Sequence, residues 1–164
     1  MKTIEIKVYK FKELDEQTRE KVIDNYRNIN VRSTDWYEHI IYDFNRLGLE
    51  IQEFDLGRRN YIDVRIFNSL EETSKLILQE FGSTSIRQTA KNYLDEYEKI
   101  LSNFKEDEDI EREVEILDEQ YIKEYQEEVI TFINTCYDWE TSDEAILETI
   151  EANDYDFTTD GKIY

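Results

Sequence analysis

Glu108, Glu111, Glu115 and Asp118 recur at intervals of three or four residues, a spacing that puts neighbouring carboxylates about 5–6 Å apart along one side of an α-helix. Glu119, Glu124, Glu127 and Glu128 continue the run. Carboxylates so placed have three chemical uses. Two can divide general acid and base work, several converging can hold a hard cation, and a row can offer fixed negative charge to a cationic surface. Acid/base pairing carries no information in a chain with 40 Asp and Glu, because such pairs occur at every spacing. The ladder contains six like-charged pairs, counting Glu115 with Glu119 and Glu124 with both Glu127 and Glu128. At roughly 0.2–0.5 kcal/mol each they cost an isolated helix about 1–3 kcal/mol. Arg112 and Lys123 stand three or four residues from Glu108, Glu115, Glu119 and Glu127 and are expected to offset part of this.

A solvated face kept polar for solubility accounts for most single charge runs. Extent distinguishes this one: acids continue through Asp138, Glu140, Asp143, Glu144, Glu148, Glu151, Asp154, Asp156 and Asp160, and Lys162 is the only base after Lys123. B-DNA carries a charge about every 1.7 Å of axis, so carboxylates arrayed along helices are expected to imitate a phosphate backbone and occupy a cationic groove. Exposed tyrosines are expected to supply packing at the centre of such an interface.

Other constellations are weaker. Asp154, Asp156, Asp160 and Gly161 echo a calcium loop. The loop needs Gly at its sixth position and Glu at its twelfth, however, and Thr159 stands sixth from Asp154 while the sequence stops at Tyr164. A tight Asp-Gly turn explains the same residues. His39 and Cys136, the single histidine and cysteine, could pair as a nucleophile couple, but nothing local supports it: His39 neighbours Ile40 within an amphipathic helix, and Cys136 continues the apolar stripe of the fifth helix, where a buried thiol is ordinarily inert. Arg58 and Arg59, beside Tyr61, are the one adjacent basic pair, read as exposed turn residues or as a contact for a phosphate or an acidic patch. No phosphate-cradling glycine loop, GxSxG or HExxH is present. No cofactor and no metal are expected.

Charge is distributed unevenly. Residues 1–82 hold 16 acids against 13 bases, residues 83–164 hold 24 against 7, and the whole chain is at −20. Such an excess repels itself in a compact state. It also disfavours direct binding to nucleic acid or anionic membrane, so the expected partner is a basic protein surface, with a homo-oligomer left open. Aromatic residues at 13% separate the chain from disordered acidic segments. One cysteine, no 18-residue apolar run and the alternating start MKTIEIKVYKFKEL point to a soluble protein of the bacterial cytoplasm.

The elements that must position these residues read as follows. Residues 3–9 alternate, placing Ile4, Ile6 and Val8 on the inner face of a half-buried strand. Asp15 caps a first helix, and Ser33 or Thr34 caps a second with an inner stripe of Trp36, Ile40, Ile41, Phe44 and Leu47, closed by Gly48. Leu49–Leu56 and Tyr61–Phe67 form a β-hairpin, and Asn68 or Ser69 caps a third helix closed by Gly82. A fourth helix over 86–104 and a fifth over 110–136, about 40 Å long, make an acidic α-hairpin turning at KEDED. Ser142 opens a short sixth helix, and YDFTTDGKIY is expected to end as a β-hairpin. The expected fold class is α+β in a single domain, 1–164. A small antiparallel sheet with packed helices fills 1–82, and a mostly helical acidic subregion fills 83–164.

Two stretches, FKELDEQTREKVIDNYRNINV continuing into TDWYEHIIYDF, and TSDEAILETIEANDYDFTTDGKIY, resemble a widespread group of small acidic proteins of bacteriophages and prophages. The likeness covers about a third of the chain at its two ends. FDLGRRNYIDVRIFN stands where that group carries a Gly- and aromatic-rich segment. The resemblance implies phage origin and, by association, a non-enzymatic inhibitor of a host defence protein, of the anti-CRISPR or anti-restriction kind. The other expectation is an acidic interaction or regulatory module whose partner binds no nucleic acid. A carboxylate enzyme using a divalent metal is a third class.

Overall fold

The computed structural model describes residues 5–164. Its order is β1 (Val8–Lys10), a 3-10 turn (Phe11–Glu13), α1 (Glu16–Tyr26), α2 (Asp35–Arg46), β2 (Leu49–Asp55), β3 (Tyr61–Ile66), α3 (Leu70–Glu80), α4 (Thr84–Asn103), α5 (Asp107–Glu140), α6 (Asp143–Ala152) and β4 (Asp156–Thr158). The class is α+β, with six helices and two separate two-stranded antiparallel sheets among the described residues.

Backbone contacts divide the chain into two units, residues 1–36 with 135–164, and residues 37–134. Each draws on both halves of the sequence, so the step in charge at residue 82 does not coincide with a unit boundary. The unit of the chain ends holds 16 acids and 9 bases, and the central unit 24 acids and 11 bases.

In the unit of the chain ends, β1 pairs with β4, Val8 opposite Thr158 and Lys10 opposite Asp156. This corrects the expected C-terminal hairpin. The chain does turn at Asp160 and Gly161, and Phe157 bridges Ile163, but the ladder of β4 is made with the N-terminal strand. The facing of that strand is corrected too: Ile6 and Val8 are exposed, while Tyr9 packs against the core. Ile4 lies outside the described residues. With only three residue pairs in the ladder, the packing demand of Tyr9 and Phe11 on Phe157 decides which face turns inward. Leu14, Val22, Ile146, Ile150 and Phe157 form this core, and Phe157 meets Phe11 and Tyr26 edge-on at 6.2 and 6.4 Å. Asp15 caps α1 by accepting from the Thr18 amide at 2.9 Å, and Ser142 caps α6 by accepting from the Ala145 amide at 3.2 Å.

In the central unit, β2 and β3 form the expected hairpin, with Leu49, Ile51, Ile62 and Val64 buried. Phe44, Phe81 and Phe132 gather within 5.1–5.6 Å of one another, joining α2, the end of α3 and α5. Ser69 caps α3. Gly48 takes the left-handed conformation wanted after α2, φ +91°, whereas Gly82 has no positive φ and is not a left-handed cap. The final turn of α3 is held by Arg87 instead. Its Nη1 donates to the carbonyls of Ile77 at 3.4 Å, Leu78 at 2.5 Å and Phe81 at 3.0 Å.

Candidate functional site

Helix α5 has 34 residues, about 51 Å at 1.5 Å per residue, and apolar residues fix its orientation. Leu117, Tyr121, Tyr125, Val129, Ile130 and Ile133 are buried. At about 100° per residue, Glu108, Glu111, Glu115 and Glu119 share an arc of about 80°, roughly opposite Leu117. All four are exposed. They form a row about 16 Å long.

The other four predicted carboxylates do not join this row. Asp118 is half-buried and accepts from the Tyr93 hydroxyl of α4 at 2.7 Å. Glu124 and Glu128 fall on the side of the helix away from Glu108 and are half-buried, and Glu124 accepts from Gln120 at 3.2 Å. Glu127 is exposed but about 100° from the row. A ladder read from spacing alone treats all eight alike. Steps of four advance about 40° past a full turn, so the line winds around the helix and part of it meets α4.

Tertiary bonds separate row from core. Tyr93 donates to Asp118, and Tyr121 on α5 donates to Glu96 on α4 at 2.9 Å, so two tyrosines cross between the helices. Their rings meet edge-on at 5.4 Å. Burial raises Asp118 above the usual carboxylate range, and the Tyr93 hydrogen bond opposes this. The Tyr93 phenol is pushed up by burial and by Asp118. Both tyrosines are therefore structural, as is Tyr125, whose hydroxyl lies 2.8 Å from Ser74 Oγ. Tyr121 and Tyr125 of α5 are thus turned away from the predicted interface. Ile116, 56% exposed, stands beside the row instead.

The expected charge compensation is also corrected. Arg112 contacts Asp109 at 3.3 Å and Glu113 at 3.4 Å, not Glu108 or Glu115. Among the described residues no ion pair reaches Glu108, Glu111, Glu115 or Glu119. Glu108 has a local explanation, since with Asp107 and Asp109 it sits in the first turn of α5, where the helix dipole favours acids. Glu111, Glu115 and Glu119 lie beyond that turn. Glu106, Asp107, Glu108 and Asp109 line a concavity of about 450 Å³ at the turn between α4 and α5.

The later acids behave differently. Lys10 Nζ lies 2.9 Å from both Asp154 and Asp156, Lys12 lies 2.7 Å from Glu151, and Arg27 lies 2.9 Å from Asp143. Asp160 accepts from Thr158 and pairs with Lys162 at 2.9 Å; the two contacts lower it to about 2. The aspartates that echo a calcium loop are engaged with lysines, and among the described residues no group of three or more His, Cys, Asp or Glu could hold a metal ion. His39 is exposed. Cys136 is half-buried, and burial pushes its thiol up, away from the reactive thiolate. Arg58 and Arg59 are exposed at the hairpin tip, where Asp55 accepts from the Gly57 amide at 2.7 Å. No helix among the described residues is long and apolar enough to cross a membrane.

Comparison with protein-family models, with curated proteins and with solved structures finds no match.

Proposed function

We propose that the chain is a non-enzymatic, phage-type inhibitor that docks the acidic face of α5 on the basic, nucleic-acid-binding surface of a host defence protein. A CRISPR effector is the first target and a restriction enzyme the second. The observation that carries this reading is the row Glu108, Glu111, Glu115 and Glu119, four exposed carboxylates with no cation within ion-pair reach among the described residues. Like-charge crowding of this kind costs an isolated helix stability, whereas a cationic partner would recover it on binding. The row carries a charge about every 5 Å, nearer to the 3.4 Å of one DNA strand than to the 1.7 Å of the duplex. The mimicry is therefore of a single phosphate backbone. Ile116 beside the row takes the packing role that the buried tyrosines of α5 do not.

The test is inhibition of purified CRISPR effector nucleases and restriction enzymes, with the triple variant Glu111→Lys, Glu115→Lys, Glu119→Lys as comparison. The native chain should inhibit at least one, excess duplex DNA should relieve that inhibition, and the variant should lose it together with its salt dependence. Inhibition by the variant equal to that of the native chain, or inhibition insensitive to DNA, rules the reading out.

A further inference from the structure

Among the described residues β1 is bonded to β4 alone, Val8 opposite Thr158, Tyr9 opposite Phe157 and Lys10 opposite Asp156. The far side of β4 is taken by the last residues of the sequence. There the Thr158 amide donates to the Lys162 carbonyl and the Tyr164 amide to the Asp156 carbonyl, both at 2.9 Å. In an antiparallel ladder, alternate residues aim their N–H and C=O groups to opposite sides. Asp156 and Thr158 therefore bond outward, Phe157 bonds Tyr9, and Val8 and Lys10 turn their backbone groups away from β4. The Lys10 amide has a partner on that side, Glu13 Oε2 at 2.8 Å. At Val8, and one period earlier at Ile6, the backbone groups meet an open edge. Glu5, Ile6, Lys7 and Val8 are all exposed, Ile6 at 53% and Val8 at 38%. An exposed edge with apolar side chains is a template for another strand. A lysine on such an edge ordinarily repels a second one, and Lys7 is so placed. Glu5 reverses that effect, because the segment is its own complement.

We propose that this edge is a contact between two copies of the chain, which pair antiparallel about Ile6 and join their small sheets into one. In that register Glu5 of each copy stands opposite Lys7 of the other, and Ile6 stands opposite Ile6. The two ion pairs lie on one face of the new ladder, with Ile6 and Val8 together on the other. Opposite charges directly across a ladder are favourable and like charges are not. Pairing about Lys7 would oppose two lysines, and pairing about Val8 would set Glu5 opposite Phe11, past the end of β1. Charge therefore selects both the occupant and the register. Lys10 and Lys12 are already held by Asp154, Asp156 and Glu151, which leaves Glu5 and Lys7 as the charges that choose. A contact of a few residues a side is far smaller than the standard interface of about 1,600 Å², so the dimer is weak. The inference is independent of the target proposed for α5.

Sedimentation equilibrium of the intact chain tests it, at about 0.15 M salt, where exposed charges more than about 8 Å apart are largely screened and the −20 of each copy repels least at a distance. The mean mass should rise from that of one chain at about 10 µM towards that of two at about 1 mM. A single-chain mass throughout that range overturns the proposal. Glu5→Lys and Lys7→Glu should each weaken association about tenfold or more, because like charges then face each other twice. An equimolar mixture of these two variants restores both opposite-charge pairs and should associate as the native chain does; a mixture that stays monomeric is decisive against the register and the proposal. Ile6→Pro removes an N–H outside the β1–β4 ladder, so the fold should keep its circular dichroism while the dimer is lost. Association that survives Ile6→Pro is built by another surface and also refutes the assignment.

Discussion

The Tyr93 hydroxyl of α4 donates to Asp118 of α5 at 2.7 Å, and the ring of Tyr93 is itself 1% exposed. Asp118 is thus a fastener between two helices, although its place in the sequence groups it with the solvent-facing acids. A hydrogen bond to a charged acceptor contributes about 1.5–3 kcal/mol when buried; half-burial of Asp118 brings the expected coupling to about 1–2 kcal/mol. A double-mutant cycle of Tyr93→Phe and Asp118→Asn, read by urea denaturation, should return a coupling of that size. The same cycle on Tyr93 and Glu115, which do not bond, should return about zero.

Asn30 joins parts of the chain that are far apart in sequence. Its Nδ2 donates to the Glu140 carbonyl at 3.1 Å, and its Oδ1 accepts from the Thr149 hydroxyl at 2.7 Å. Nearby, Arg27 donates to the Thr141 carbonyl at 3.1 Å. The elbow between α5 and α6 is therefore held by residues just after α1. Asn30→Ala leaves part-buried groups without these partners and should cost about 1–3 kcal/mol. Amide exchange in residues 140–149 should quicken before exchange in α4 changes, and uniform quickening along the chain would contradict the assignment.

These long-range bonds mark what the sequence could not convey. Helix caps at Asp15, Ser69 and Ser142, the β2–β3 hairpin and the order of the N-terminal elements were legible because each rests on contacts within a few residues. The pairing of β1 with β4 was not, because three residues carry too little pattern to choose a partner about 150 positions away. Charge misled for the same reason. The acids from Asp143 onward look unopposed along the chain, yet Lys10, Lys12 and Arg27 are beside them in space. In the candidate site, spacing grouped Glu108, Glu111 and Glu115 with Asp118, and the structure places the first three on an exposed arc with Glu119. Spacing could not separate them from Asp118, Glu124 and Glu128, whose differences come from the packing of other helices and from burial.

Gly48 and Gly82 both follow helices and invite the same reading, but the structure gives them different roles. At Gly48 the backbone is left-handed, φ +91°, and an added Cβ would meet Thr73 Oγ1 at 2.6 Å. At Gly82 no positive φ is present and nothing lies within 4 Å of an added Cβ. Gly48→Ala should destabilise by more than about 1 kcal/mol through backbone strain and collision. Gly82→Ala should be neutral or stabilise by about 0.4–1 kcal/mol by restricting the unfolded chain. Thermal denaturation of the two variants checks the contrast, and equal shifts would contradict it.

Arg87 gave no signal in the sequence, since one arginine near a helix start has no distinctive spacing. In the structure its guanidinium reaches back to the end of α3, where Nη1 is shared among the carbonyls of Ile77, Leu78 and Phe81. The last carbonyls of a helix have no partner within it, and here a cation also opposes the negative end of the helix dipole. Arg87→Met keeps much of the aliphatic stem and removes the donors, leaving part-buried carbonyls unsatisfied at a cost of about 1–3 kcal/mol. Arg87→Lys restores the charge but not the planar fork, and should recover less than half of that loss. If the two variants unfold at the same urea concentration as the native chain, the three carbonyls are satisfied by water and the end of α3 does not depend on this contact.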